Sequence, residues 1–327
     1  MIPLIYFSGT NDNIEVDTLP VDTSDDQCSL GSSKISIHEV TEVVCEQFVC
    51  AFGSKGKQLG QFEDAKDITC LSQYELIITD LILGRLQKIT KEENSLKPTL
   101  LAPRETTPVW ATTTTLGGNI AATMYTERCV KVFNRVGTCV LTFGEQVLQA
   151  PRGITCDSKD RLIVTDEKLG MILMFEPDGT FCRFLGDLGN QQEGFLKPRY
   201  VCVNINHDIL VSDSGTHSVK IFNSDGRFRK SFGSFGKKDG QLKCPYGLCT
   251  NSTGEILVAD HYNNRISVFT KDGAFVRHVI SSSHGLYHPQ GVAIDSNNYL
   301  YITHGQFKAT EILTFKLTAK MHEYDFD

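Results

Sequence analysis

The sequence predicts an all-β fold, a six-bladed β-propeller whose ring is closed by its own N-terminal strand. Three observations predict it. One unit recurs six times, each full copy contains four strand-like segments, and the last copy lacks a fourth strand whose equivalent lies near the other end of the chain. The best copies are Pro151-Arg-Gly-Ile-Thr-Cys-Asp-Ser-Lys-Asp-Arg-Leu-Ile-Val-Thr-Asp166 and Pro245-Tyr-Gly-Leu-Cys-Thr-Asn-Ser-Thr-Gly-Glu-Ile-Leu-Val-Ala-Asp260. The starts fall at 65, 108, 151, 198, 245 and 289, spaced by 43, 43, 47, 47 and 44 residues, which is the length of a four-stranded blade.

The chain begins with an acidic segment. Residues 1–45 hold Asp12, Glu15, Asp17, Asp22, Asp25, Asp26, Glu39 and Glu42 against Lys34 alone, whereas 46–320 carry 31 basic and 28 acidic residues. The formal charge of −7 therefore belongs to the ends, and the body is basic. Residues 1–44, rich in Asp, Ser and Thr, read as a disordered linker; 45–317 read as the propeller and 318–327 as an acidic tail.

Within a unit, a short apolar run after the proline and a β-rich run such as Glu255–Ala259 make the first two strands. A turn such as Tyr262-Asn263-Asn264-Arg265 then leads into an alternating strand, Ile266–Phe269, and Asp272-Gly273 makes a hairpin into a fourth. After Thr314–Leu317 only ten residues remain, so the last blade cannot complete itself. Glu46–Gly53 has the form of the fourth strands that end other blades, such as Gly226–Gly233, and is expected to pair there, removing an open edge.

Several function classes are disfavoured. No apolar run approaches the roughly 18 residues of a membrane-spanning helix, and Met1–Thr10 lacks the basic flank and cleavage site of a secretory signal, so the expected location is cytoplasmic. The eleven cysteines show no C-x-x-C spacing and read as reduced thiols, with Cys70 and Cys156 in strand-like apolar runs. The histidines show no ligand spacing, and neither a G-x-S-x-G elbow nor a P-loop is present. The expectation is no catalytic residue, no metal, no cofactor and no small-molecule substrate.

Asp80, Asp166, Asp213 and Asp260 recur at one place in four blades. An aspartate that ends a strand before a tight turn accepts backbone N–H bonds, so these are read as structural rather than as a catalytic carboxylate ring. Arg85 and Arg265 are expected to pair locally, near carboxylates of the neighbouring blade. The second position of P-x-G is more informative, because it enters the innermost strand on the face of the turn after the aspartate. Around the ring it reads Lys66, Val109, Arg152, Arg199, Tyr246 and Gln290, flanked by Lys197, Tyr200, Lys243, Tyr287 and His288. Between 197 and 243 there are nine Lys or Arg against four acids. Such a face either holds phosphates and stacks bases or is a solvated rim. Trp110, the single tryptophan, is expected near the channel mouth, as a core residue or a ligand contact. The candidate ligand-binding residues are Lys66, Trp110, Arg152, Lys197, Arg199, Tyr200, Tyr246, Tyr287 and His288.

The unit P-x-G-(I/V), V-(A/S/T)-D, x-x-N-x-R, (I/V)-x-(V/I)-F and F-G-x-x-G-x-x-x-G resembles the NHL repeat, nearly position by position in Val258–Phe269 and Phe232–Leu242. Phe52–Phe62 and Leu286–Ala293 are most similar to the propeller of tripartite-motif NHL proteins. Those relatives carry a RING, B-boxes and a coiled coil, which are not found in these residues. Met124 and His304 stand where the family has aspartate, and Trp110 and Tyr200 are read at its glycine. The resemblance implies a recognition propeller, first of all the substrate-binding module of a tripartite-motif-type ubiquitin ligase that takes a protein on its loop face. An RNA-binding propeller acting on messenger RNA is the alternative, and a metal-dependent propeller hydrolase or lyase a remote one.

Overall fold

The computed structural model describes residues 43–93, 95–102, 108–185 and 194–319. The acidic segment up to residue 42 and the tail beyond 319 lie outside them. The rest forms six four-stranded antiparallel sheets, each in simple up-and-down order. The innermost strands are Ala65–Cys70, Val109–Thr114, Pro151–Cys156, Pro198–Val203, Pro245–Thr250 and Val292–Ile294, in blades 1 to 6. The last blade takes Val43–Phe52 as its outer strand, paired with Glu311–Ala319 from Val43↔Ala319 to Phe52↔Ile312. Closure occurs as the sequence predicts, although the closing strand starts three residues earlier than Glu46.

The motif phenylalanines join the blades. Phe133, Phe175, Phe222, Phe269 and Phe315, at equivalent third-strand positions, are fully buried. An outer-strand phenylalanine packs on the next blade: Phe143 lies 4.9 Å from Phe175 and Phe232 lies 4.6 Å from Phe269, ring centre to ring centre. The hairpin glycines make room for this. A Cβ on Gly179 or Gly273, both at positive φ, would sit within 2.8 Å of the ring of Phe143 or Phe232.

The recurrent aspartates are staples. Asp166 accepts N–H bonds from Gln149 (2.6 Å) and Ala150 (2.9 Å) before the inner strand, and from Lys168 (3.1 Å) and Leu169 (3.0 Å) in its own turn. Asp213 does the same with Leu196, Lys197 and Gly215. Arg85 and Arg265 pair locally, as expected, with the aspartates of their own blades, Asp80 at 3.6 Å and Asp260 at 2.8 Å. Each guanidinium also reaches into the glycine-rich loop before its inner strand. Arg265 donates to the carbonyls of Lys237 (2.9 Å), Lys238 (3.3 Å) and Gln241 (2.9 Å), and Arg85 to those of Lys57, Gln58 and Gln61. This is the physical content of F-G-x-x-G-x-x-x-G: a loop that wraps its carbonyls around the arginine of the following blade.

Blade 2 corrects the reading of its own register. Val109 pairs with Met124 as Pro151 pairs with Asp166, and the Ala111 N–H bonds Thr123 Oγ1 as the Gly153 N–H bonds Thr165 Oγ1. Val109 therefore takes the proline position, Ala111 the glycine position, and Trp110 the variable position between them. The even 43-residue spacing had placed this blade one residue early.

Candidate recognition face

Because strands alternate in direction, the connectors into the inner strands and the turns after the aspartates share one face of the disc. The corrected variable positions form one ring at the channel mouth on that face: Lys66, Trp110, Arg152, Arg199, Tyr246 and Gln290. Trp110 is its centre. The Arg152 guanidinium lies 3.7 Å from the Trp110 ring and 4.2 Å from Tyr125, with Lys66 at 4.9 Å and Arg199 at 5.8 Å from Trp110. Arg199 also sits 5.3 Å from the Tyr246 ring. Glu167 holds the two arginines together, bonded to Arg152 Nε at 2.6 Å and to Arg199 at 3.3 Å. Burial pushes the Lys66 ammonium below its ordinary pKa, against the pull of Asp64 at 3.4 Å. Trp110 is only 6% exposed, and its buried indole N–H has no partner among the described residues.

The ring continues into an aromatic arc. Tyr246 stacks on His261 at 4.2 Å and 7°, and His261 meets Tyr262 (4.7 Å) and His288 (5.1 Å). Burial holds His261 down to about 4, so it is a neutral ring at physiological pH. Tyr262 and Tyr287 are exposed, as are Lys197, Lys237 and Lys238; Lys243 is half-buried, 6.0 Å from Tyr262. The opposite face, made of the other turns, carries Asp157, Asp160, Asp178, Asp208, Asp225 and Asp295 together with Lys159, Arg161, Arg227 and Lys271.

Of the nine residues singled out from sequence, the structure brings Lys66, Trp110, Arg152, Arg199 and Tyr246 into one cluster and joins His288 to its edge. Lys197 stands on the rim, and Tyr287 turns toward a separate pocket at blade 6. Tyr200 is corrected: it is 4% exposed and spans the channel, donating its hydroxyl to the Lys66 carbonyl at 2.5 Å. It occupies the glycine position, held by Asp67, Ala111, Gly153, Gly247 and Gly291 in the other blades. The inner strands below it line a cavity of about 240 Å³. Sequence reading missed Tyr125, Glu167 and His261. Their signal was present, since each directly follows the residue that ends the second strand of its blade.

Among the described residues no cluster of His, Cys, Asp or Glu is arranged to hold a metal ion, and no helix is long and apolar enough to cross a membrane. Residues 242–269 match the family profile of the NHL repeat. The propeller carries an NHL repeat in its fifth blade. It is 30% identical over 142 residues to Protein brain tumor of Drosophila melanogaster, covering 42% of this chain and 14% of that protein. It is 29% identical over 135 residues to the B-box type zinc finger protein ncl-1 of Caenorhabditis elegans, covering 40% and 16%. The match thus spans about a seventh of the length of these relatives. Among solved structures, a streptogramin B lyase aligns with TM-score 0.58 at 13% identity, covering 82% of this chain and 97% of that one. The gluconolactonase XC5397 of Xanthomonas campestris aligns with TM-score 0.63 at 14% identity, covering 86% and 99%. At such identities this propeller shares their fold alone.

Proposed function

We propose that this NHL recognition module binds single-stranded RNA across its loop face. The observation that carries the reading is the cationic, aromatic-lined loop face: Lys66, Arg152 and Arg199 gather around Trp110 and Tyr246, with exposed Tyr262 and the rim lysines beside them. Phosphates are drawn to the lysine-bearing rim and bases stack on tyrosine. Arg152 and Arg199, already paired with Glu167, hold the platform flat more than they neutralise phosphate. The exposed rim lysines and tyrosine rings favour RNA over the protein-substrate reading of the sequence. The substrate-selecting end of a ubiquitin ligase remains the second reading, supported by the B-box in the printed name of one relative and by the shortness of this match against it.

The test is binding of the full chain to a pool of short single-stranded RNAs at two salt concentrations. Each of Lys197→Glu and Lys243→Glu is expected to weaken binding and to lower the slope of log affinity against log salt by about 0.7. Tyr262→Ala is expected to cost roughly 1–3 kcal/mol and leave that slope unchanged. Binding no tighter than non-specific at physiological salt would discard the RNA reading.

A further inference from the structure

We propose that the blade 6 end of the loop face is a second, separate docking pocket, one that receives an arginine side chain presented on a peptide segment of a protein partner. The turn after the second strand occupies 81–84, 125–128, 167–170, 214–217 and 261–264 in blades 1 to 5, but 305–310 in blade 6, two residues longer. The polar pair that flanks it is also reversed. Where blades 1 and 5 have Asp80 with Arg85 and Asp260 with Arg265, blade 6 has His304 with Glu311. His304 Nδ1 accepts the Tyr287 N–H at 3.3 Å, its other ring nitrogen meets Glu311 Oε2 at 3.2 Å, and the Gly305 N–H bonds the Tyr287 carbonyl at 2.9 Å, so the longer turn is tied to the connector before the inner strand.

The result is a cavity of about 530 Å³ bordered by Lys55, Glu63, Tyr287, Phe307, Lys308 and Glu311. Phe307 is 96% exposed and Tyr287 39%, so neither ring is there to fill a core. A large aromatic surface held in solvent beside a cavity is the mark of an interaction anchor. Glu63 and Glu311 supply carboxylates for a cation, with Lys55 and Lys308 on the rim beside them. A guanidinium suits the combination best, because it stacks flat on an aromatic ring while bonding a carboxylate through two N–H groups. Lys55 and Lys308 on the rim disfavour a polybasic run, so the fitting segment carries one arginine beside an acidic residue.

The probe is a pair of labelled random-sequence peptide pools with a fixed central arginine or its neutral isostere citrulline, titrated with the full chain. The arginine pool is expected to bind, and the citrulline pool to bind roughly tenfold more weakly. Glu311→Gln and Phe307→Ala are each expected to bring the arginine pool down to the citrulline level while leaving RNA affinity as in wild type. Phe307→Ala removes an exposed ring and should not move the melting temperature, so its loss of binding cannot be ascribed to misfolding. An arginine pool that fails to bind, that binds no better than citrulline, or that binds both variants like wild type overturns the proposal. The RNA assay reads Lys197, Lys243 and Tyr262, so failure of either reading is visible without the other.

Discussion

Asp67 lies in the channel wall with no cation beside it. Its carboxylate accepts the Thr112 N–H at 2.9 Å, yet burial dominates and raises its pKa to about 7. The folded carboxyl is thus raised above the unfolded value of about 3.9, so folding takes up a proton between the two. Its contribution to stability is fully present below the unfolded pKa and is lost as pH rises through about 7, at roughly 1 kcal/mol per pH unit within that window. His261, held down to about 4, acts in the opposite sense below its unfolded value of about 6.5. Comparing Asp67→Asn with wild type isolates the carboxyl. The urea midpoint of wild type relative to the variant is expected to fall between pH 5 and pH 8, and a constant difference would show that Asp67 does not titrate there.

At the scale of the element, the inner strands meet around the channel with almost no space between their backbones. Gly247 donates its N–H to the Gln290 carbonyl at 2.8 Å, and a Cβ on it would lie 2.3 Å from that oxygen and 2.9 Å from the Val292 nitrogen. Its φ is not in the left-handed region, so the demand for glycine is one of close approach between blades 5 and 6. Gly247→Ala is expected to destabilise by roughly 1–3 kcal/mol, because the blades must part. Gly117→Ala, whose Cβ would find its nearest neighbour at 3.8 Å, is the control and should be near neutral. Equal melting temperatures for the two variants would remove close approach as the reason for P-x-G.

For the whole molecule, stability depends on circular closure. The strand Val43–Phe52 comes from one end of the chain and its partner Glu311–Ala319 from the other, so the last blade joins residues some 270 apart in sequence. Phe48 adds an edge contact to Phe315 at 5.6 Å. Removing residues 1–42 leaves this strand intact and is expected to leave the thermal transition close to that of the full chain. Removing 1–53 exposes the outer edge of Glu311–Ala319 and should lower and broaden the transition. Coincident melting curves for the two truncations would show that the ring does not rely on the closing strand.

The sequence by itself determined the architecture, because each blade repeats one local code of proline, aspartate, arginine and phenylalanine, and each of those residues bonds or packs within its own unit or the next. Closure was legible for the same reason, as Glu46–Gly53 has the form of a fourth strand with no blade of its own. Tertiary structure decided what depends on several blades at once. Trp110 joined the ring of variable positions only when pairing with Met124 set the register of blade 2, which residue spacing cannot fix to within one position. Tyr200 looked like a surface residue because its sequence neighbours are charged, but its hydroxyl crosses the channel to the Lys66 carbonyl of blade 1, a contact no single repeat contains. The pocket beside Phe307 was likewise absent from any one repeat, since the turn of the last blade meets the loop that leads into the first.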